Sequence, residues 1–217
     1  MQLGGLTGGL YRLSEWIMRF AYLNILWVGF SLIGLFVFGI MPASSSMFSI
    51  VRKWQRGETD LPIFKTFWQH YKKDFVKINL IGIVLYIIGS IVYMDIFYMK
   101  SVNGFSSILV FAAFCIIAFL YLLLILYIFP TFVHFDLKIP HYFKYSLLFA
   151  LTNIIGTIIM IGAALATWFL IRVLPASLLF FSMSLLAFVL MWAANLGFSK
   201  VTAIQEADDP KTLNNES

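Results

Sequence analysis

His134, Asp136 and His141 form the nearest approach to a metal-binding pattern in this chain. A metal needs ligands that converge on one point. An i, i+2 pair such as His134 and Asp136 diverges on a helix, so the segment after Pro130 reads as an ordinary interfacial loop. Ser44-Ser45-Ser46 offers hydroxyls but no GxSxG frame to raise one as a nucleophile. A helix beginning at Pro42 to Ser46 has free amides of the kind that hold anions; hydroxyls in that place more commonly satisfy those amides, and we take that reading. The sequence shows no Gly-rich phosphate loop, no paired carboxylates and no HExxH. Its one cysteine, Cys115, lies in an apolar run, and one thiol makes neither an internal disulfide nor a zinc site. The expectation is a protein that is not an enzyme and carries no cofactor or metal.

The elements that would have to position any such chemistry are membrane helices. Of the 217 residues, 61% are hydrophobic and 12% charged, against about 45–50% and about 25% in soluble domains. A small water-soluble fold leaves too much surface exposed to hide that excess. Aromatic residues make up 18% of the chain: Phe suits a lipid-facing surface, Tyr and Trp the interfacial belts. The net charge of +5 fits basic loops held against anionic lipid better than nucleic acid. The N-terminal stretch lacks the basic, apolar and small-residue order of a secretory signal peptide.

Crossing the hydrocarbon takes about 20 apolar residues, and five stretches have that length: about 20–41, 78–98, 106–129, 145–171 and 177–198. Lipid gives unpaired backbone groups no partner, so the fold class is an all-α membrane protein. The chain then forms a single polytopic domain, with a polar tail over 199–217. Sorting the loops by side puts 42–77, 130–144 and the tail together and leaves Arg12, Arg19, Lys100 and Arg172 opposite them. The positive-inside rule places the N-terminus outside and the C-terminus in the cytoplasm. The implied location is a plasma membrane, crossed several times.

The basic segment between the first two spans has helical order. Met47, Ile50, Val51 and Trp54 make one stripe, from which Arg52, Lys53 and Arg56 fall away. Gly57 is a helix stop, and Thr59-Asp60-Leu61-Pro62 is a helix start with proline in the first turn. Phe64, Phe67, Trp68, Tyr71, Phe75 and Ile78 continue at spacings of three and four. These features predict an amphipathic hairpin over 43–75, lying at the cytoplasmic interface and leading into the second span. Arg52, Lys53, Trp54, Arg56 and Trp68 are its candidate docking residues, for the bilayer with its anionic lipid headgroups or for a protein partner.

Polar residues inside the spans are fewer. Asn79, Tyr86, Ser90, Asn153 and Asn195 would line a polar path or serve helix packing. Thr152 and Gly156 form a small-xxx-small pair with Asn153 beside it, and the third span, almost all Phe, Leu, Ile and Ala, reads as the most lipid-exposed. None of the five spans has a central charge, which argues against a proton relay. Asp95 and Arg172 both fall near the outer surface and are candidates for an ion pair.

Two groups of residues carry a family resemblance. Leu35-Phe36 to Pro42-Ala43, Phe48, Val51-Arg52-Lys53-Trp54, Gly57 and Phe64-Lys65-Phe67-Trp68 form the first. Phe129-Pro130 to Phe135-Asp136, with Lys144, Leu148, Ala150 and Asn153, form the second. Together they resemble the YesL-like bacterial membrane proteins, a domain of unknown function, over nearly the whole chain and most densely over 29–75. The resemblance implies a small polytopic protein of the bacterial cytoplasmic membrane, whose genes often neighbour carbohydrate-uptake systems of the ATP-binding-cassette type. The expected function is a non-enzymatic accessory protein linked to such uptake, with a carbohydrate ABC-transporter permease as its partner. The alternative is a small transporter or channel, acting alone or as an oligomer.

Overall fold

In the computed structural model the backbone is described for residues 5–99 and 105–207, and side chains for 8–94, 108 and 110–198. Among the described residues there are eight helices and no strand. They are α1 (Gly5–Ile33), α2 (Ile40–Gln55), α3 (Ile63–Met99), α4 (Phe105–His134), α5 (Ile139–Thr152), α6 (Ile154–Val173), α7 (Ser177–Phe180) and α8 (Ser182–Ala207). The expectation of an all-α membrane protein is met. Among the described residues four helical stretches are long and apolar enough to cross a bilayer: Gly8–Ile33, Ile63–Met94, Val110–His134 and Ile154–Val173; Ser182–Phe198 is a shorter apolar helix. The chain forms two compact units, Met1–Asn79 with Gly162–Val189, and Leu80–Ile161 with Leu190–Ser217.

The first expected span, 20–41, is interrupted. α1 stops at Ile33, and a turn over 34–39 reverses the chain into α2. Hydropathy hides this turn because its residues, Gly-Leu-Phe-Val-Phe-Gly, are themselves apolar. Its two glycines lie back to back: a Cβ on Gly34 would run into the Gly39 backbone, and one on Gly39 into the Ser31 carbonyl. Leu35 and Phe36 sit at φ 57° and 62°, a left-handed conformation that costs an L-residue about 1–2 kcal/mol.

Past the turn α2 runs back antiparallel along α1. The Trp27 indole N–H donates to the Ser44 hydroxyl at 3.0 Å. Further along, Trp54 meets Trp16 and Phe20 edge-on, with ring centroids 5.5 and 5.6 Å away. Most of α2 is buried, including Ser45, Ser46, Met47, Ile50, Val51 and Trp54. The expected hairpin at the interface is therefore corrected in its first half, because α2 is a core helix of its unit. Gly57 ends it as predicted. At φ 90° it lets its own N–H reach the Trp54 carbonyl at 3.0 Å, and the Glu58 N–H the Lys53 carbonyl at 3.1 Å, the paired bonds of a Schellman motif.

α3 is one continuous helix of 37 residues, so no break in helix separates the second half of the hairpin from the second span. It begins at Ile63, one residue beyond the predicted proline position, and the Thr66 N–H donates to the Pro62 carbonyl at 2.9 Å. Phe30 of α1 packs into its first turns against Phe67 and Tyr71, both at 5.0 Å between centroids.

Arg19 corrects the charge sorting. Its guanidinium donates to the Thr59 carbonyl at 2.7 Å and pairs with Glu15 and, at 3.5 Å, with Asp60. The loop sorting had put Arg19 and the 56–62 loop on opposite membrane faces, yet they touch. The long apolar stretch from Gly8 also contains Arg12, Glu15 and Arg19, so this first span is not free of charge.

In the second unit the expected fourth span, 145–171, breaks at Asn153, which has φ −101° and ψ 64° between α5 and α6. Thr152 and Gly156 therefore do not sit on one helix as a small-xxx-small pair. α4 continues through Pro130 to His134, where the sequence reading began a loop. Its last turns carry buried Leu123, Leu124, Tyr127, Ile128 and Phe132, so this helix is not the most lipid-exposed. That description fits α6 better, since its only buried residues are Gly156, Thr157 and Met160 near its start. The fifth stretch, 177–198, is broken at Phe181 between α7 and α8.

Candidate docking surface

The structure separates the five docking candidates. Trp54 is 4% exposed and belongs to the ring cluster with Trp16, Phe20 and Phe188, so it is a packing residue. Met47, Ile50 and Val51, which share its stripe, are buried with it. The next residue, Gln55, donates its side-chain amide to the Phe188 carbonyl at 2.8 Å. Arg52 and Lys53 are half-buried, while Arg56 is exposed. Burial, and then the neighbouring Arg56, lower the pKa of the Arg52 guanidinium from its ordinary value; Glu58 opposes them. Beside this end, Met18, Arg19, Ala21, Tyr22, Ile25 and Ile63 line an apolar groove of about 440 Å³.

Trp68 stays outward, at 38% exposure. Its inner edge stacks on Tyr71, with centroids 6.0 Å apart and planes 17° from parallel. The Lys72 ammonium lies 4.8 Å from the Trp68 ring centroid, within cation–π range. Phe64 is 53% exposed on the same helix. Phe64, Trp68 and Lys72 follow each other at i, i+4 and i+8, one face of α3. The sequence reading placed Phe64 in the apolar stripe with Trp68, and Lys72 on the other face. The four-residue spacing was the signal that joins Lys72 to both.

The polar-path candidates stand in different surroundings. Asn79 donates to the Phe75 carbonyl of its own helix at 2.9 Å, and Ser90 to the Ile87 carbonyl at 2.8 Å. Tyr86 is on an exposed face and Asn195 is half-buried on α8. Asn153 is buried. Its side-chain amide donates to the Ala193 carbonyl at 2.9 Å, and its side-chain oxygen accepts from the Gly156 N–H at 3.3 Å. Beside it the Tyr127 and Thr157 hydroxyls bond at 3.0 Å.

Asn24 was missed altogether. It is fully buried and closes the break between α7 and α8. Its amide donates to the Leu178 and Leu179 carbonyls at 2.7 and 2.9 Å. Its oxygen accepts from the Met183 and Ser184 N–H groups at 3.1 and 3.0 Å. A lone Asn in an apolar helix was the available signal, since such a group must find partners.

The Arg172 guanidinium lies over the Trp168 ring at 5.2 Å; the Asp95 side chain lies outside the described residues. Among the described residues no three His, Cys, Asp or Glu side chains gather as metal ligands. His134 packs its ring on Phe135 and Phe198, at 4.6 and 4.5 Å. At the start of α2, Ser44 accepts from Trp27 and Ser46 donates to the Pro42 carbonyl at 2.8 Å.

The apolar helices and their buried polar ties define a polytopic α-helical membrane protein. Comparison with known proteins adds its lineage. The family described as "Protein of unknown function, DUF624" matches residues 20–96, which hold the second half of α1, all of α2 and most of α3. The chain is 44% identical over 188 residues to the uncharacterized protein YteU of Bacillus subtilis (strain 168), spanning 87% of this chain and 84% of that one. It is 32% identical over 208 residues to the uncharacterized protein YesL of the same organism, spanning 96% and 98%. YesV, also uncharacterized and from that organism, is 32% identical over 91% of this chain. The chain therefore belongs to the YesL-like DUF624 family. No solved structure matches it.

Proposed function

We propose that this protein is a non-enzymatic accessory protein of a bacterial plasma membrane, which binds a membrane partner through the Phe64–Trp68–Lys72 face of α3. The observation that carries the reading is the outward Trp68 ring under the Lys72 ammonium. An exposed tryptophan with a paired cation has the chemistry of a binding anchor. Arg56, also exposed, adds positive charge on the preceding loop. The link to carbohydrate uptake, with an ABC-transporter permease as partner, is supported by the family resemblance alone. The orientation we adopt keeps the 56–62 loop and the C-terminus in the cytoplasm, on the positive-inside rule.

The test is affinity purification of the full chain in mild detergent, with mass-spectrometric identification of what accompanies it. A permease retained by the native protein, and lost with Trp68→Ala or Lys72→Glu, is the expected result. A partner set unchanged by both substitutions overturns the assignment of this face. Sugar or ion flux by the purified protein alone in liposomes would instead support the transporter alternative.

A further inference from the structure

The turn between α1 and α2 is built unlike a water-facing loop. Leu35 is 82% exposed, and Phe36, Val37 and Phe38 are each at least 50% exposed, a contiguous apolar patch of a kind that marks a binding surface. Six of the seven N–H groups from Gly34 to Ile40 donate to carbonyls of the turn or of the end of α1. The Gly34, Leu35 and Phe36 N–H groups donate to Phe30, Leu32 and Ser31 carbonyls at 3.2, 3.0 and 2.9 Å. Those of Val37, Gly39 and Ile40 donate to Leu35, Phe36 and Phe36 at 2.7, 3.2 and 2.9 Å. A loop in water does not need this; a loop that leaves water does. Leu35 and Phe36 also hold left-handed conformations that glycine would adopt freely. Large apolar side chains stand at the strained positions, and strain of this kind points towards a role.

The neighbourhood supplies the second half of the argument. The Tyr71 hydroxyl donates to the Phe30 carbonyl at 3.2 Å, and a Cβ on Gly34 would come within 2.9 Å of the same hydroxyl. The base of the turn thus lies beside the turn of α3 that presents Lys72 and Lys73, both exposed. After Lys77 that helix has no charged residue until Asp95. The lysines mark where α3 meets the headgroups, and long basic side chains suit that boundary.

We propose that the 34–39 turn is a lipid-inserting wedge. Leu35, Phe36, Val37 and Phe38 sit beneath the headgroups of an anionic leaflet, whose phosphates Lys72 and Lys73 contact. The inference rests on the membrane character of the chain; it shares Lys72 with the partner reading, and vesicles that hold no partner test the two apart.

The experiment uses the full-length protein carrying Cys115→Ser and Phe38→Cys, labelled with an environment-sensitive fluorophore. It is reconstituted without any partner in vesicles of phosphatidylglycerol and phosphatidylethanolamine. Val37→Cys is a second label site, and Glu58→Cys the water-exposed control. The expected result is quenching several-fold stronger by phospholipid bearing a nitroxide near the headgroup than by aqueous iodide, with the reverse at position 58. Quenching should also be stronger than in phosphatidylcholine vesicles. Iodide quenching equal to the control overturns the wedge. So does protection from both quenchers, which means that a second copy or another protein segment covers the turn. Equal quenching in anionic and phosphatidylcholine vesicles overturns the role given to the lysines.

Discussion

Asn153 donates its side-chain amide to the carbonyl of Ala193 at 2.9 Å, tying the break between α5 and α6 to α8. The same side chain accepts from the Gly156 N–H, one of the first-turn amides that a helix leaves without internal partners. One residue thus interrupts the helix, caps the next one and holds a neighbour. Asn153→Leu keeps the volume and removes all three polar functions, leaving buried groups unpaired at about 1–3 kcal/mol. The expected outcome is a lower apparent melting temperature in mild detergent. Asn153→Leu melting with the native protein would show that this knot does not stabilise the fold.

Asn24 does comparable work in the other unit. It donates to the last carbonyls of α7 and accepts from the first amides of α8. Asn24→Asp keeps the acceptor but sets a carboxylate against the Leu178 and Leu179 carbonyls. Both Asn24→Leu and Asn24→Asp should destabilise by about 1–3 kcal/mol, read as a lower melting temperature. An Asp variant as stable as the native chain would show that the donor half is dispensable.

How far the sequence reaches differs from element to element. Hydropathy finds apolar runs because lipid selects for them, and it located α3, α4 and α6 to within a few residues or turns. It cannot find a chain reversal made of apolar residues, as in 34–39, nor a break made by one buried Asn, as at 153. Gly57 was legible because a positive φ leaves few residue choices. Trp54 was legible as a stripe member but misassigned as a docking residue. Its i, i+3, i+4 spacing reports an inward face, while its basic neighbours Arg52 and Lys53 report only that the other face is wetter. Asn24 pairs with residues more than a hundred positions away, a distance at which no local pattern speaks.

Two glycines separate backbone strain from crowding. At Gly57 a Cβ would meet nothing within 4 Å, but φ is 90°. Gly57→Ala should therefore cost only the left-handed penalty of about 1 kcal/mol. At Gly156 a Cβ would strike the Asn153 amide and stand 2.7 Å from the Ala193 carbonyl. Gly156→Ala must push these groups apart, at about 1–3 kcal/mol, and, because it disturbs the same Asn153–Ala193 bond that Asn153→Leu removes, the two losses should not add fully. Paired melting curves of the two single alanine variants and the Asn153→Leu/Gly156→Ala double variant check both points. Additive losses in the double variant would mean that the glycine and the asparagine act separately.

The contact between Arg19 and the loop at Thr59 and Asp60 makes a prediction about threading. Arg56, Glu58 and Asp60 are exposed, and exposed charges of this kind belong in water or among headgroups. Arg12 lies seven residues before Arg19 on the same helix, about 10 Å along its axis. That distance is too short to cross about 30 Å of hydrocarbon. Position 12 and position 58 must then open on one face of the membrane. In a Cys115→Ser background, Arg12→Cys and Glu58→Cys should respond alike to a membrane-impermeant maleimide on intact cells. Both should be labelled, or both protected until the membrane is permeabilised. Labelling of one and protection of the other would restore the five-crossing arrangement, in which the first helix separates them.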